Sequence, residues 1–450
     1  MNQEIIERFR AALRIKTDWP GNIKAEDTAA IKNAEAALAR FQEFLAGNYP
    51  FLNKAAERRV LSPYSLVYRW PGMSDTAPVL LMGHYDVVPA ETEKWTADPF
   101  GAELKDGYIY GRGALDMKNM VISIMESAEE LCSRGFKPAH DIWIVFGGDE
   151  ERTGIKGAKE TAKWFSEKGI HFSFVLDEGT PVAEDMIKGI NTPLALVGIE
   201  EKGFLSLDLT VDQQSGHASQ PPEQQAAAVL GRSLLRLSRR PFPWRLTPAV
   251  EAFFKQLGPY ASGTRGLAMG HARLLGKLFF AVAASNTATR ALFRTTLAMT
   301  QLEGSAADNV MPSSVRAVIN LRLLPPWTVD TAIERVKAVI ADDQVAVTVH
   351  GLGTNPVKAQ PDQTKLTGSG WKEIKNALAK TFPDIPVLPF LMLATTDSRH
   401  YKDLTSGIFR FNPLLLDQKE LSLIHGHDER ISLENLELCL KFYIFLMEQL

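Results

Sequence analysis

The chain has 450 residues, which at ~150 residues per domain predicts two to three domains rather than one core. With 45% hydrophobic and 23% charged residues it has the composition of a globular protein, which argues against a disordered or fibrous chain. A net charge of −3 removes the basic footprint expected of a nucleic-acid binder.

The first fifteen residues, MNQEIIERFRAALRI, carry charges at helical spacing and no apolar signal segment, so a cytoplasmic location is expected. The two cysteines, Cys132 and Cys439, cannot build a disulfide framework, which suits a reducing compartment. The most apolar stretch, 278–284, is too short to span a bilayer, so no membrane span is expected.

Two amphipathic helices are predicted first, on Ile5, Ile6, Phe9 and Leu13 and then on Ile31, Ala34, Leu38, Phe41 and Leu45. A strand–helix alternation follows. Residues 78–83, 142–146 and 172–176 are short apolar runs, and 117–132 and 155–167 have helical periodicity. Buried strands separated by helices predict an α/β domain with a mostly parallel sheet and helices on both faces.

The pattern changes near residue 200. Residues 204–212 alternate with period two, as a half-exposed antiparallel strand does. Helix 224–239, strands 296–303 and 315–323, helix 329–340 and strand 345–350 complete a small α+β sandwich. A polar linker, 351–362, leads back to helix 371–380, strands 387–393 and 408–411, and helix 433–449. The predicted organisation is a domain made of 1–199 and 353–450, with 200–352 inserted into it. Within the insertion, 241–294 is an excursion with seven cations against one acid, expected as a solvated cover or, more sharply, as an extended lid or dimer surface.

Chemistry concentrates where predicted strands end. His84 and Asp86 follow the first buried strand, Asp116 precedes a helix, Glu150 and Glu151 follow the second strand, and Asp177 and Glu178 follow the third. In an open α/β sheet ligands bind at the carboxyl ends of strands. Singly, each residue has a plainer reading: a hydrogen-bonded histidine, a helix-capping carboxylate, a solvated acidic pair. Their joint placement calls for positive charge among them, and two divalent ions supply it. Imidazole nitrogen and carboxylate oxygen are both ligand types that zinc takes.

The ordered motifs GHYDVVP (83–89), the run 95–118 ending in YGRGALDMK, GGDEERTG (147–154), LDEG (176–179), SGHASQPP (215–222), DNVMPSSVRAVINLRLLP (308–325), TTDSRHY (395–401) and IHGHDER (424–430) resemble the dinuclear zinc exopeptidases and deacylases. That family includes Gly-Xaa carboxypeptidase, glutamate carboxypeptidase, aminoacylase, carnosinase, acetylornithine deacetylase and succinyl-diaminopimelate desuccinylase. The resemblance spans the chain except 241–294, and it is strongest to the Gly-Xaa carboxypeptidase and aminoacylase branch.

It implies two zinc ions per chain, replaceable by cobalt or manganese, held by His84, Asp116, Glu151, Asp177 and His425, with Asp116 bridging. His425 is preferred to His427 because it keeps the family's spacing to Asp428 and Glu429. The resemblance further implies that Asp86 orients His84 and that Glu150 is the general base. His217 would reach the substrate from the inserted domain, and Asn309 and Arg399 would bind the substrate's carboxylate. Lys118 is expected to pair with nearby carboxylates. Asn119 departs from the family, where glycine is usual, and so does Gly148. The implied function is hydrolysis of the amide bond in a peptide or N-acyl amino acid, by a homodimer formed through the inserted domain. An aminoacylase is the alternative, and a non-catalytic binding protein on the same scaffold a remote one.

Overall fold

The computed structural model describes every residue except 20–26, 185–189, 191, 262–263, 284–286 and 306. Its centre is a ten-stranded sheet. The strands His140–Gly147, Ser74–His84, Phe174–Asp177 and Ile408–Arg410 lie side by side in parallel. Antiparallel strands Glu57–Ser62 and Ser65–Trp70 close one edge. On the other side Leu194–Glu201 pairs in parallel with Val387–Met392. The parallel strands are apolar on both faces because both are covered. Helices Lys118–Ser133 and Leu433–Met447 pack together on one side, and Ala158–Glu167 lies against the other with Phe165 fully buried.

Four antiparallel strands form a second sheet in the order Thr296–Glu303, Ser314–Leu323, Gly203–Asp212, Ala346–Val349. Helices Ala226–Arg239 and Val329–Ile340 cover one face of it, and Leu205, Leu207, Leu209, Ile319 and Val336 form its core. Alternation along Gly203–Asp212 puts these leucines inward, as the period-two pattern predicts. The chain leaves the large sheet at Glu201 and returns through bridges Phe204↔Thr354 and Glu201↔Val357, so the two sheets share one crossing point.

Two expectations are corrected. The helix predicted over 155–167 begins at Ala158, because the Asp149 carboxylate accepts the N–H groups of Lys156 (2.7 Å) and Gly157 (2.9 Å) and holds the preceding loop open. The excursion 241–294 is more than a solvated cover: among its described residues the helix Pro248–Leu257 buries Val250, Phe253 and Phe254. Phe253 meets Phe390 edge-on at 5.5 Å, which fastens the excursion to the strand Val387–Met392 of the large sheet.

Candidate metal centre

The carboxyl ends of three neighbouring parallel strands open into one cavity of about 410 Å³ between the large sheet and the inserted region. His84 ends its strand and is buried. Its Nδ1 lies 2.9 Å from the Asp86 carbonyl oxygen, and its Nε2 lies 3.1 Å from Asp116 Oδ1 and 3.6 Å from Glu178 Oε2. His425 comes from the far end of the chain on a loop with φ 59°, and its Nε2 lies 2.8 Å from Asp116 Oδ2 and 3.2 Å from Glu151 Oε1. Asp116 thus stands between two imidazoles, one on each carboxylate oxygen. The ligand atoms of His84, Asp116 and Glu151, and those of His84, Glu150 and Glu178, lie within 4.8 Å of one another.

Electrostatics show what this donor set needs. Burial drives Glu178 up to about 8, with the Asp116 charge adding to it. Burial and the neighbouring Glu178 likewise push Glu150 well above the usual carboxylate range. Burial works to raise Asp116 too, but hydrogen bonds from His425 and His84 outweigh it and hold it far below that range. The same contacts from Asp116 and Glu151 lift His425 to about 10. Glu151 Oε1 is buried, with the His425 ring nitrogen 3.2 Å away and no further hydrogen-bond partner. Crowded carboxylates and such an oxygen fit a divalent cation, whose charge relieves both.

The sequence-predicted residues fall into three groups. His84, Asp116, Glu150, Glu151 and His425 converge, and Arg399 lines the same cavity. Asp86 lies beneath them with its oxygens accepting the N–H groups of Glu150 and Glu151, both at 3.2 Å, and with Oδ1 3.5 Å from His84 Nδ1. The others are not in the cluster. Asp177, expected as a ligand, turns away: its Oδ2 accepts the N–H of Ser398 at 2.8 Å and its Oδ1 that of Glu178 at 2.9 Å. Glu178 occupies the place expected for it. His217 and Asn309 adjoin one another, the Asn309 carbonyl accepting the Ala218 N–H at 3.0 Å, but neither lines this chain's cavity. His217 is exposed, and its Nδ1 accepts the Ser219 N–H at 3.1 Å. That bond leaves the ring proton on Nε2, so the imidazole presents a donor outward.

Sequence reasoning missed the struts. Glu429 is fully buried and accepts the N–H groups of Leu115 (2.7 Å) and Asp116 (3.2 Å), while Arg112 Nη1 donates to it at 2.6 Å. Arg112 Nη2 also reaches the Gly426 carbonyl at 3.0 Å, tying the Asp116 loop to the His425 loop. Both residues stand inside quoted motifs, but a charge in a motif carries no sign of its partner. A second buried pair, Arg410 with Glu201 at 2.7 Å, joins Thr396 beneath the loop that carries Arg399. Lys118 is corrected: its ammonium donates to the carbonyls of Ala12 (3.1 Å) and Ile15 (2.7 Å), serving the end of the first helix rather than carboxylates. Asn119 donates to Asn412 at 3.1 Å, a bond glycine could not make.

The match to known proteins is broad. Residues 80–449 match the family described as Peptidase family M20/M25/M40. An N-fatty-acyl-amino acid synthase/hydrolase PM20D1 of Xenopus tropicalis is 34% identical over 99% of this chain and 86% of that protein. A probable carboxypeptidase S-like 2 of Dictyostelium discoideum is also 34% identical, over 99% of this chain and 85% of its own. Among solved structures, an M20 family metallo-carboxypeptidase of Sulfolobus solfataricus superposes with TM-score 0.74 at 15% identity, covering 100% of this chain and 99% of that one. Human carnosine dipeptidase 1 superposes with TM-score 0.67 at 17% identity, covering 99% and 96%.

Proposed function

The chain belongs to the M20/M25/M40 peptidase family and is a hydrolase of that family, and from that premise we propose that it cleaves N-acyl amino acids bearing an apolar acyl group and a free α-carboxylate. The observation that carries this reading is the cavity's division. Asp116, Glu151, Glu178 and His425 line the cavity, with His84 against Asp116 and Glu178. Phe204, Leu352, Met392 and Ile424 make part of its wall apolar, and Arg399 and Arg322 supply cations. Relatives named as acting on N-fatty-acyl amino acids support the acyl reading. Those named as carboxypeptidases keep a peptide substrate as the second reading.

In this reading His84, Asp116, Glu151, Glu178 and His425 would hold two divalent ions, Asp116 standing between the two imidazoles; the donor set suits zinc, and cobalt or manganese could replace it. The chemistry such ions would supply there is Lewis acidity, toward the scissile carbonyl and a water. Glu150 takes the proton of the attacking water and returns it to the leaving nitrogen, releasing a carboxylic acid and a free amino acid. Asp86 holds the Glu150–Glu151 turn and the His84 ring in register. Arg399 pairs with the substrate carboxylate. His217, with its proton on Nε2, would donate to the oxyanion of a neighbouring chain's substrate in a homodimer.

The test is amine release from two series, N-acylglycines of increasing acyl length and dipeptides, by zinc-loaded protein. Rising kcat/KM with acyl length supports the proposal. A preference for dipeptides moves the assignment to carboxypeptidase, and no release by protein holding two metal equivalents sinks both readings.

A further inference from the structure

The inserted region holds a second cavity of about 380 Å³ that shares no lining residue with the carboxylate-rich one. It lies where the end of the helix Ala226–Arg239, the helix Val329–Ile340 and the start of the strand Thr296–Glu303 meet. Four arginines line it, Arg240, Arg290, Arg294 and Arg335, and no Asp or Glu does among the described lining residues. Between the arginines the surface is apolar, made by Phe242, Val336 and Val339.

Like charges in one lining repel one another, and burial followed by the charge of Arg290 lowers Arg294 below the usual arginine value. Two of the guanidiniums are nonetheless held in place. Arg294 lies 3.8 Å over the Trp244 ring, and Arg335 lies 5.1 Å over Phe242 and donates to the Pro241 carbonyl at 3.0 Å. The Nε atoms of both are buried without a hydrogen-bond partner. Planar cations fixed by aromatic faces suit a planar oxyanion. The neighbouring apolar surface selects an anion that carries an alkyl chain.

We propose that this cavity binds a carboxylate with an apolar tail, the carboxylate on Arg294 and Arg335 and the chain on Phe242, Val336 and Val339. It is a site separate from the metal centre and does not depend on the substrate assigned there. Lys202 connects the two regions: its ammonium donates to the Arg294 carbonyl at 2.7 Å, next to Glu201 at the crossing point of the two sheets.

A photoreactive diazirine analogue of dodecanoate tests the proposal on the metal-loaded full chain. After irradiation, adducts should map to peptides containing 237–242, 294–299 and 335–339. Excess dodecanoate should suppress them, whereas dodecanol or inorganic phosphate at the same concentration should not. The double variant Arg240→Gln/Arg335→Gln should lower this labelling by ~10-fold or more, with kcat/KM for a short N-acetyl amino acid unchanged. Should the double variant misfold, Arg335→Lys alone, which keeps the charge but loses the planar fork, should still reduce it several-fold. Adducts confined to other peptides, equal labelling of both variants and wild type, or suppression by phosphate as strong as by dodecanoate would each overturn it.

Discussion

Asp177 and Glu178 are adjacent carboxylates with opposite duties, and replacing each separates them. Glu178 faces His84, whereas Asp177 accepts the Ser398 and Glu178 N–H groups. Glu178→Ala should therefore cut bound metal from two equivalents toward one. Asp177→Asn, which can still accept the Ser398 N–H, should leave metal content near wild type; elemental analysis after zinc loading and gel filtration reads both. Loss of metal from Asp177→Asn alone would restore Asp177 as the ligand. Glu150→Gln keeps size but cannot take a proton, so kcat should fall by at least ~10²-fold with metal content unchanged. Wild-type turnover would remove Glu150 from the proton path. Arg399→Ala should reduce kcat/KM for a free α-carboxylate by roughly 10-fold to 100-fold, the worth of a charge-assisted bond. The amidated analogue should lose far less. Equal losses would make Arg399 a structural residue, one whose bonds to the Thr396 and Thr153 carbonyls are its whole purpose.

At the scale of elements, the parallel strands were legible because apolar runs ending in His, Asp and Glu are hard to explain otherwise. Which carboxylate faces the site was not. Successive side chains on a strand point to opposite faces, so Asp177 and Glu178 diverge at the end of Phe174–Asp177. A run that is apolar on both faces gives no parity to decide between them. The start of the helix at Ala158 was hidden for a related reason: Asp149 stands where a helix-start acid would, and only its bonds to Lys156 and Gly157 show it holding a loop. Long-range struts were invisible altogether. Arg112 and Glu429 are 317 positions apart, and neither has a local pattern to reveal the pair. Breaking a buried pair by removing one charge leaves the other uncompensated, at ~3–5 kcal/mol. Glu429→Gln should thus lower the urea midpoint sharply. It should also loosen the hold on the Asp116 and His425 loops, so metal affinity should fall with stability. A variant with unchanged midpoint and metal affinity would show that backbone packing alone fixes those loops.

At the scale of the molecule, the residues divide between two sheets. Every candidate ligand belongs to the large sheet's side, while His217 and Asn309 sit together on the inserted region, outside the cavity of their own chain. The exposed imidazole presents an Nε2 donor to its surroundings, with Ser219 fixing the tautomer. A two-fold dimer makes such a donor reciprocal, each chain completing its partner's site. In that arrangement His217→Ala and Glu150→Gln should each be almost inactive as homodimers, for different reasons. Co-expression should then produce hybrids in which one site combines an intact Glu150 with the partner's intact His217. The other site in the hybrid lacks both. Random pairing makes half of the dimers hybrids, so activity should return to about a quarter of wild type. Differently tagged chains, purified in tandem, isolate the hybrids, which should then show about half of wild-type activity per dimer. Inactive hybrids, recovered intact and loaded with metal, would mean that His217 does not act across an interface. Retained activity in the His217→Ala homodimer would mean that the oxyanion is met by groups on the large sheet's own side.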